Sequence, residues 1–172
     1  MKRPVPTQRE RHFDESEIIV SKTDLKGRVT YANEVFCRIG MYSEDELVGK
    51  PHSIVRHPDM PRTVFHLLWE RIKSGGEIFA YVKNLAKNGD YYWVLAHVTP
   101  SYGADGQPDG YHSNRRVPER SAVQAIETVY RDLLDVEAAA GDPREAVRKG
   151  VARLEELLKQ RGQSYDEFVF SL

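Results

Sequence analysis

From Tyr91 to Pro100 the chain runs through aromatic, β-branched and small residues with no glycine, and with no proline before the last position. Such a run reads as a strand. Phe79 to Asn84 reads as a second, and the Asn88-Gly89-Asp90 turn between them carries residues that tolerate positive φ, so the two form an antiparallel hairpin. That hairpin commits the chain to an antiparallel sheet with one face packed on a core. Alternation then assigns sides. If Val94, Ala96 and Val98 face a helical layer, Trp93, Leu95, His97 and Thr99 face away. The far face is too apolar to stand bare. An N-terminal cap, the C-terminal helices or a second subunit is expected to cover it.

The remaining elements fit around this hairpin. Ile18-Ile19-Val20 and Arg28-Val29-Thr30-Tyr31 read as strands joined by a turn at Asp24 to Gly27. Asn33 caps a short helix that ends at Gly40, and Ser43 with Glu46 forms a capping box for another that closes at Gly49. Arg62 to Ser74 has helical apolar spacing and stops at Gly75-Gly76. A turn from Gly103 to Gly110 leads to a last strand, Tyr111 to about Val117, with Tyr111, Ser113 and Arg115 on one side. The pattern is α+β. From Glu119 the composition turns Ala-, Glu- and Leu-rich. Two amphipathic helices meet at Gly141-Asp142-Pro143, and Ser164 with Glu167 caps a terminal turn from Tyr165 to Leu172.

With 25 basic against 26 acidic side chains, the chain offers no general attraction to polyanions, so nucleic acid is not an expected partner. Its single cysteine, Cys37, rules out an intrachain disulfide and fits a reducing cytoplasm. Nowhere is there the run of about 18 apolar residues that a spanning helix needs, so no direct membrane insertion is expected. The six histidines lack metal-ligand spacing, and the motifs of phosphate loops, zinc hydrolases and dithiol redox enzymes are missing. An enzyme is not expected. Cys37, in the second turn of a short helix, gives no support to a light-driven cysteine adduct.

Val55-Arg56-His57-Pro58-Asp59-Met60-Pro61 sets a cation, an imidazole and a carboxylate among prolines that restrict the backbone. It reads either as a polar turn leading into the helix near Pro61 or as a rigid display of ligand-binding groups.

Asn33-Glu34-Val35-Phe36, Gly49-Lys50-Pro51-His52, the segment 55–61, Trp69, Lys83-Asn84, Lys87 to Val94 and Gly110-Tyr111 together resemble, in order and spacing, the PAS sensory domain of bacterial aerotaxis receptors. The resemblance spans about residues 16–117. It leaves 1–15 as an N-terminal arm or cap and 118–172 as a C-terminal helical extension. It implies a PAS fold: a five-stranded antiparallel sheet with helices on one face and non-covalently bound FAD between them, its oxidation state being the signal. Asn84 would serve a flavin ring edge. Arg56 and His57 would serve its phosphates or adenine, and Asp59 would orient them or cap the following helix. Phe65 and Trp69, four apart on one helical face, would wall the pocket or simply pack the core. Ser113 and Arg115 would point to the flavin edge. Asn33 caps its helix or faces the cavity. Phe79 stands where those receptors carry a Trp, so it would make one wall of the flavin site smaller. Unlike those receptors, the sequence shows no transmembrane helix, linker domain or chemotaxis signalling hairpin after residue 117, so output is expected through a homodimer or a partner in trans, a chemotaxis receptor or kinase. Haem on His57, His112 or another histidine, or a cofactor-free PAS dimerisation module, are the alternatives.

Overall fold

A computed structural model describes residues 4–172. One sheet carries five antiparallel strands: β1 (Ile19–Asp24), β2 (Val29–Ala32), β3 (Ile78–Leu85), β4 (Tyr91–Tyr102) and β5 (Pro108–Arg116), in the order β2-β1-β5-β4-β3. Between β2 and β3 lie α1 (Glu34–Gly40), α2 (Glu44–Leu47), a 3-10 turn at His52–Val55 and α3 (Arg62–Lys73). The extension forms α4 (Arg120–Ala138), α5 (Pro143–Arg161) and α6 (Tyr165–Phe170). Among the described residues, no helix is long and apolar enough to cross a membrane.

Local chemistry explains most boundaries. Asp24 Oδ1 accepts the amides of Lys26 and Arg28, which closes the β1-β2 turn over Gly27 at φ 74°. Asn33 and Ser43 cap α1 and α2 as their side-chain chemistry predicts. One boundary differs. The left-handed residue that ends α1 is Met41, at φ 59°, not Gly40. Gly40 is buried inside the helix, where a Cβ would meet Tyr42 Cδ2 at an ordinary contact distance of 3.4 Å, so neither the turn nor a close approach requires glycine there.

The two faces of the sheet have different covers. Val82 and Asn84 of β3 and Ala96 and Val98 of β4 look toward α3. Trp93 and Tyr81 lie on the other face beneath α4: the Trp93 and Tyr130 rings stack at 6.4 Å, and Tyr130 Oη donates to Tyr81 O at 2.6 Å. The Tyr165 hydroxyl donates to Phe79 O at 3.0 Å. These two tyrosines satisfy outward carbonyls of β3, an edge strand that would otherwise offer them to another chain. The N-terminal arm helps from the hairpin end. Its amides at Thr7 and Arg11 donate to Gly89 O and Tyr91 O, and Phe13 packs on the core.

Candidate functional site

Between α3 and the inner face of the sheet is a cavity of about 260 Å³. Its helical wall is Phe65, Leu68, Trp69 and Ile72; Val82, Asn84 and Ala96 line the sheet side. Trp69 meets Tyr111 edge-on at 5.5 Å, and Gly27 lies close beneath it: a Cβ there would stand 2.9 Å from Trp69 Cη2. The Arg56 guanidinium sits over the Phe65 ring at 3.9 Å, and an isolated β-bridge ties the Arg56 backbone to Asn84. The prolines around residue 58 therefore lay their segment along the free edge of β3.

The polar end of the cavity is a chain of three side chains. Arg115 Nη2 donates to Ser21 Oγ at 2.5 Å, and Ser21 Oγ lies 3.1 Å from His52 Nε2. Ser21 accepts from the cation, so its own proton is available to His52 Nε2. Burial, helped by the nearby charge of Arg115, pushes the His52 pKa down to about 3, so the imidazole is neutral at ordinary pH. Burial also lowers Arg115, to about 10, which leaves it charged. Arg115 is 2 % exposed, and its Nε and Nη1 have no hydrogen-bond partner among the described residues. The buried Tyr92 hydroxyl is likewise without one, and burial drives its pKa upward. A buried cation with open donors is costly unless an acceptor arrives.

A second, wider cleft of about 690 Å³ adjoins the cavity and shares Pro51, Ser53 and Arg56 with it. Lys50, Arg56, His57 and Arg62 give it a basic lining, with Glu137 as its acid.

Six of the ten residues expected at a site line the cavity together: Arg56, Phe65, Trp69, Asn84, Ser113 and Arg115. His57 lies in the outer cleft, with Nδ1 accepting the Asp59 amide at 3.1 Å. Asp59 neither lines the cavity nor caps α3: its carboxylate accepts from Lys83 Nζ at 2.8 Å. Asn33 is consumed by structure, its Oδ1 accepting the Val20 and Phe36 amides and its Nδ2 donating to Ile18 O. Phe79 is on the opposite face, stacked on His97 at 4.1 Å and edge-on to Phe170 at 4.8 Å. The parity of β3 requires this, because Val82 and Asn84 point inward and 79, 81 and 83 therefore point out. Ser21 and His52 were missed as site residues. The alternation of Ile19, Ser21 and Thr23 on β1 was the available signal.

A family model described as the PAS fold matches residues 29–115. The chain belongs to the PAS family. Among curated proteins, this PAS chain is 36 % identical over 148 residues to the aerotaxis receptor of Escherichia coli, a match covering 86 % of this chain and 28 % of the receptor. It is 25 % identical over 103 residues to the nitrogen fixation regulatory protein of Klebsiella pneumoniae, covering 60 % of this chain and 21 % of that protein. The chain thus spans about a quarter of the length of these relatives. Solved structures share the fold. The dark-state LOV domain of the blue-light photoreceptor Aureochrome1 superposes with a TM-score of 0.56 at 16 % identity, covering 69 % of this chain and 86 % of that one. A light-oxygen-voltage domain studied with a flavin analogue gives 0.57 at 14 % identity, covering 67 % of this chain and 86 % of that one.

Proposed function

We propose that this chain is the sensory module of a cytoplasmic redox or oxygen sensor that binds FAD and signals through protein contacts rather than by catalysis. The observation that carries the reading is Arg115: a buried, charged guanidinium with two donor nitrogens open, lining a cavity that also presents the Asn84 amide. A ligand with carbonyl or anionic acceptors along one edge of a flat apolar ring satisfies both. The cavity lies just under the roughly 300–1,000 Å³ usual for ligand sites, so it suits a ring system and not a whole dinucleotide. The adjoining cleft supplies the rest, with Lys50, Arg56 and Arg62 placed to hold phosphates and His57 beside them. Likeness to an aerotaxis receptor and to a domain studied with a flavin analogue supports the same ligand.

A flavin held there would supply reversible electron uptake. The protein's part is to bind and orient: Phe65 and Trp69 wall the ring, Asn84 donates and accepts at its edge, and the Ser21-His52 pair holds Arg115 in place. Signal would leave through a homodimer or a partner in trans, a chemotaxis receptor or kinase. The purified protein should be yellow and release FAD on denaturation. A colourless protein that takes up no added FAD, or one with a haem Soret band, contradicts the proposal.

A further inference from the structure

The N-terminus of α3 has no side-chain cap of its own, since Pro61 occupies the cap position. The extension supplies one. Glu137, near the end of α4 and 9 % exposed, accepts the Arg62 amide through Oε2 at 2.9 Å. Its Oε1 accepts the Thr63 amide at 2.9 Å and the Thr63 hydroxyl at 2.7 Å. Gly150 of α5 closes on the same spot: any Cβ there would collide with Thr63 Oγ1. Farther along α3, Arg71 Nη1 donates to both oxygens of Asp166 on α6, at 2.7 and 2.8 Å, and the guanidinium lies over the Tyr165 ring at 5.2 Å. The same extension holds β3 through Tyr130 and Tyr165. It therefore grips both walls of the cavity from outside, α3 on one side and β3 on the other.

We propose that α4–α6 are a clamp that locks α3 over the cavity, so that ligand occupancy and the docking of the extension are coupled. A ligand between α3 and β3 and a clamp across their outer surfaces restrain the same separation from opposite sides. Each should therefore strengthen the other, and the coupling must be reciprocal. The idea rests on the flavin reading only for the ligand used to test it.

The test combines FAD release, followed by flavin fluorescence after rapid dilution, with amide hydrogen exchange on the whole chain. Glu137→Ala should speed release at least about fivefold, the low end of usual coupling, and Glu137→Gln, which keeps one acceptor oxygen, should fall between. The sign is diagnostic. Glu137 also lines the basic cleft, and losing an acid beside phosphates would by charge alone slow release. Asp166→Asn, at a half-exposed pair, should also speed release and serves if Glu137→Ala does not fold. In the wild type, α4–α6 amides should exchange more slowly with FAD than without. Unchanged or slower release in folded variants, or equal α4–α6 exchange with and without FAD, overturns the clamp. If the wild type binds no FAD, the flavin reading fails by itself. The clamp is then judged on ligand-free protein: faster exchange of α3 amides in Asp166→Asn supports it, and unchanged exchange overturns it.

Discussion

Arg115 carries opposite consequences for stability and for binding. Its open donors make the ligand-free protein pay for a buried charge, so Arg115→Met should leave ligand-free stability equal or raise it by about 1–3 kcal/mol in urea denaturation. The same change should remove most bound flavin. A variant both less stable and fully flavin-loaded would contradict this role. His52 sets a pH dependence. Its folded pKa lies below its unfolded one, so the unfolded state binds the extra proton; stability is full above about 6.5 and is lost as pH falls toward 3. The unfolded imidazole takes up its proton near pH 6.5 while the folded one stays neutral, so the loss between pH 7 and pH 5 should be no more than about 2 kcal/mol. In His52→Gln that part of the acid sensitivity should vanish, which denaturation at the two pH values measures.

At the scale of elements, boundaries set by side-chain chemistry were legible in the sequence, and those set by packing were not. Asn33, Ser43 and Ser164 cap helices as their spacing predicts. Gly40 looked like a helix stop but is still helical, which leaves Met41 in the left-handed region. Met41→Gly should therefore stabilise the fold by about 0.5–1 kcal/mol; a loss in thermal or urea unfolding would refute this. The cap of α3 was hidden because it comes from another element. Its only trace is that Glu137 follows Leu133 by one turn on the buried stripe of α4, an acid where an apolar residue belongs. Tyr130→Phe removes one hydrogen bond to the β3 edge and should cost about 1 kcal/mol. Its urea midpoint should fall with an unchanged slope.

For the whole molecule, the sheet, its inner face and the helical layer followed from the hairpin at Asn88-Gly89-Asp90 and from strand parity. The same parity, applied to β3, would have moved Phe79 out of the site. What covers the outer face did not follow, because an amphipathic stripe states that it must be buried and not against what. The structure shows α4 and α6 on β3 and β4, and the arm at the hairpin end. The result is a cavity closed on both walls by one extension, with a buried cation at its polar end that uses one nitrogen on Ser21, lies over the Phe36 ring and keeps two donor nitrogens without a partner among the described residues. Equilibrium titration of flavin-free protein with FAD, followed by flavin absorbance, tests that assignment most directly. One FAD should bind per chain, and Arg115→Met should lose that binding while staying folded. No binding by the wild type, or equal binding by Arg115→Met, would contradict it.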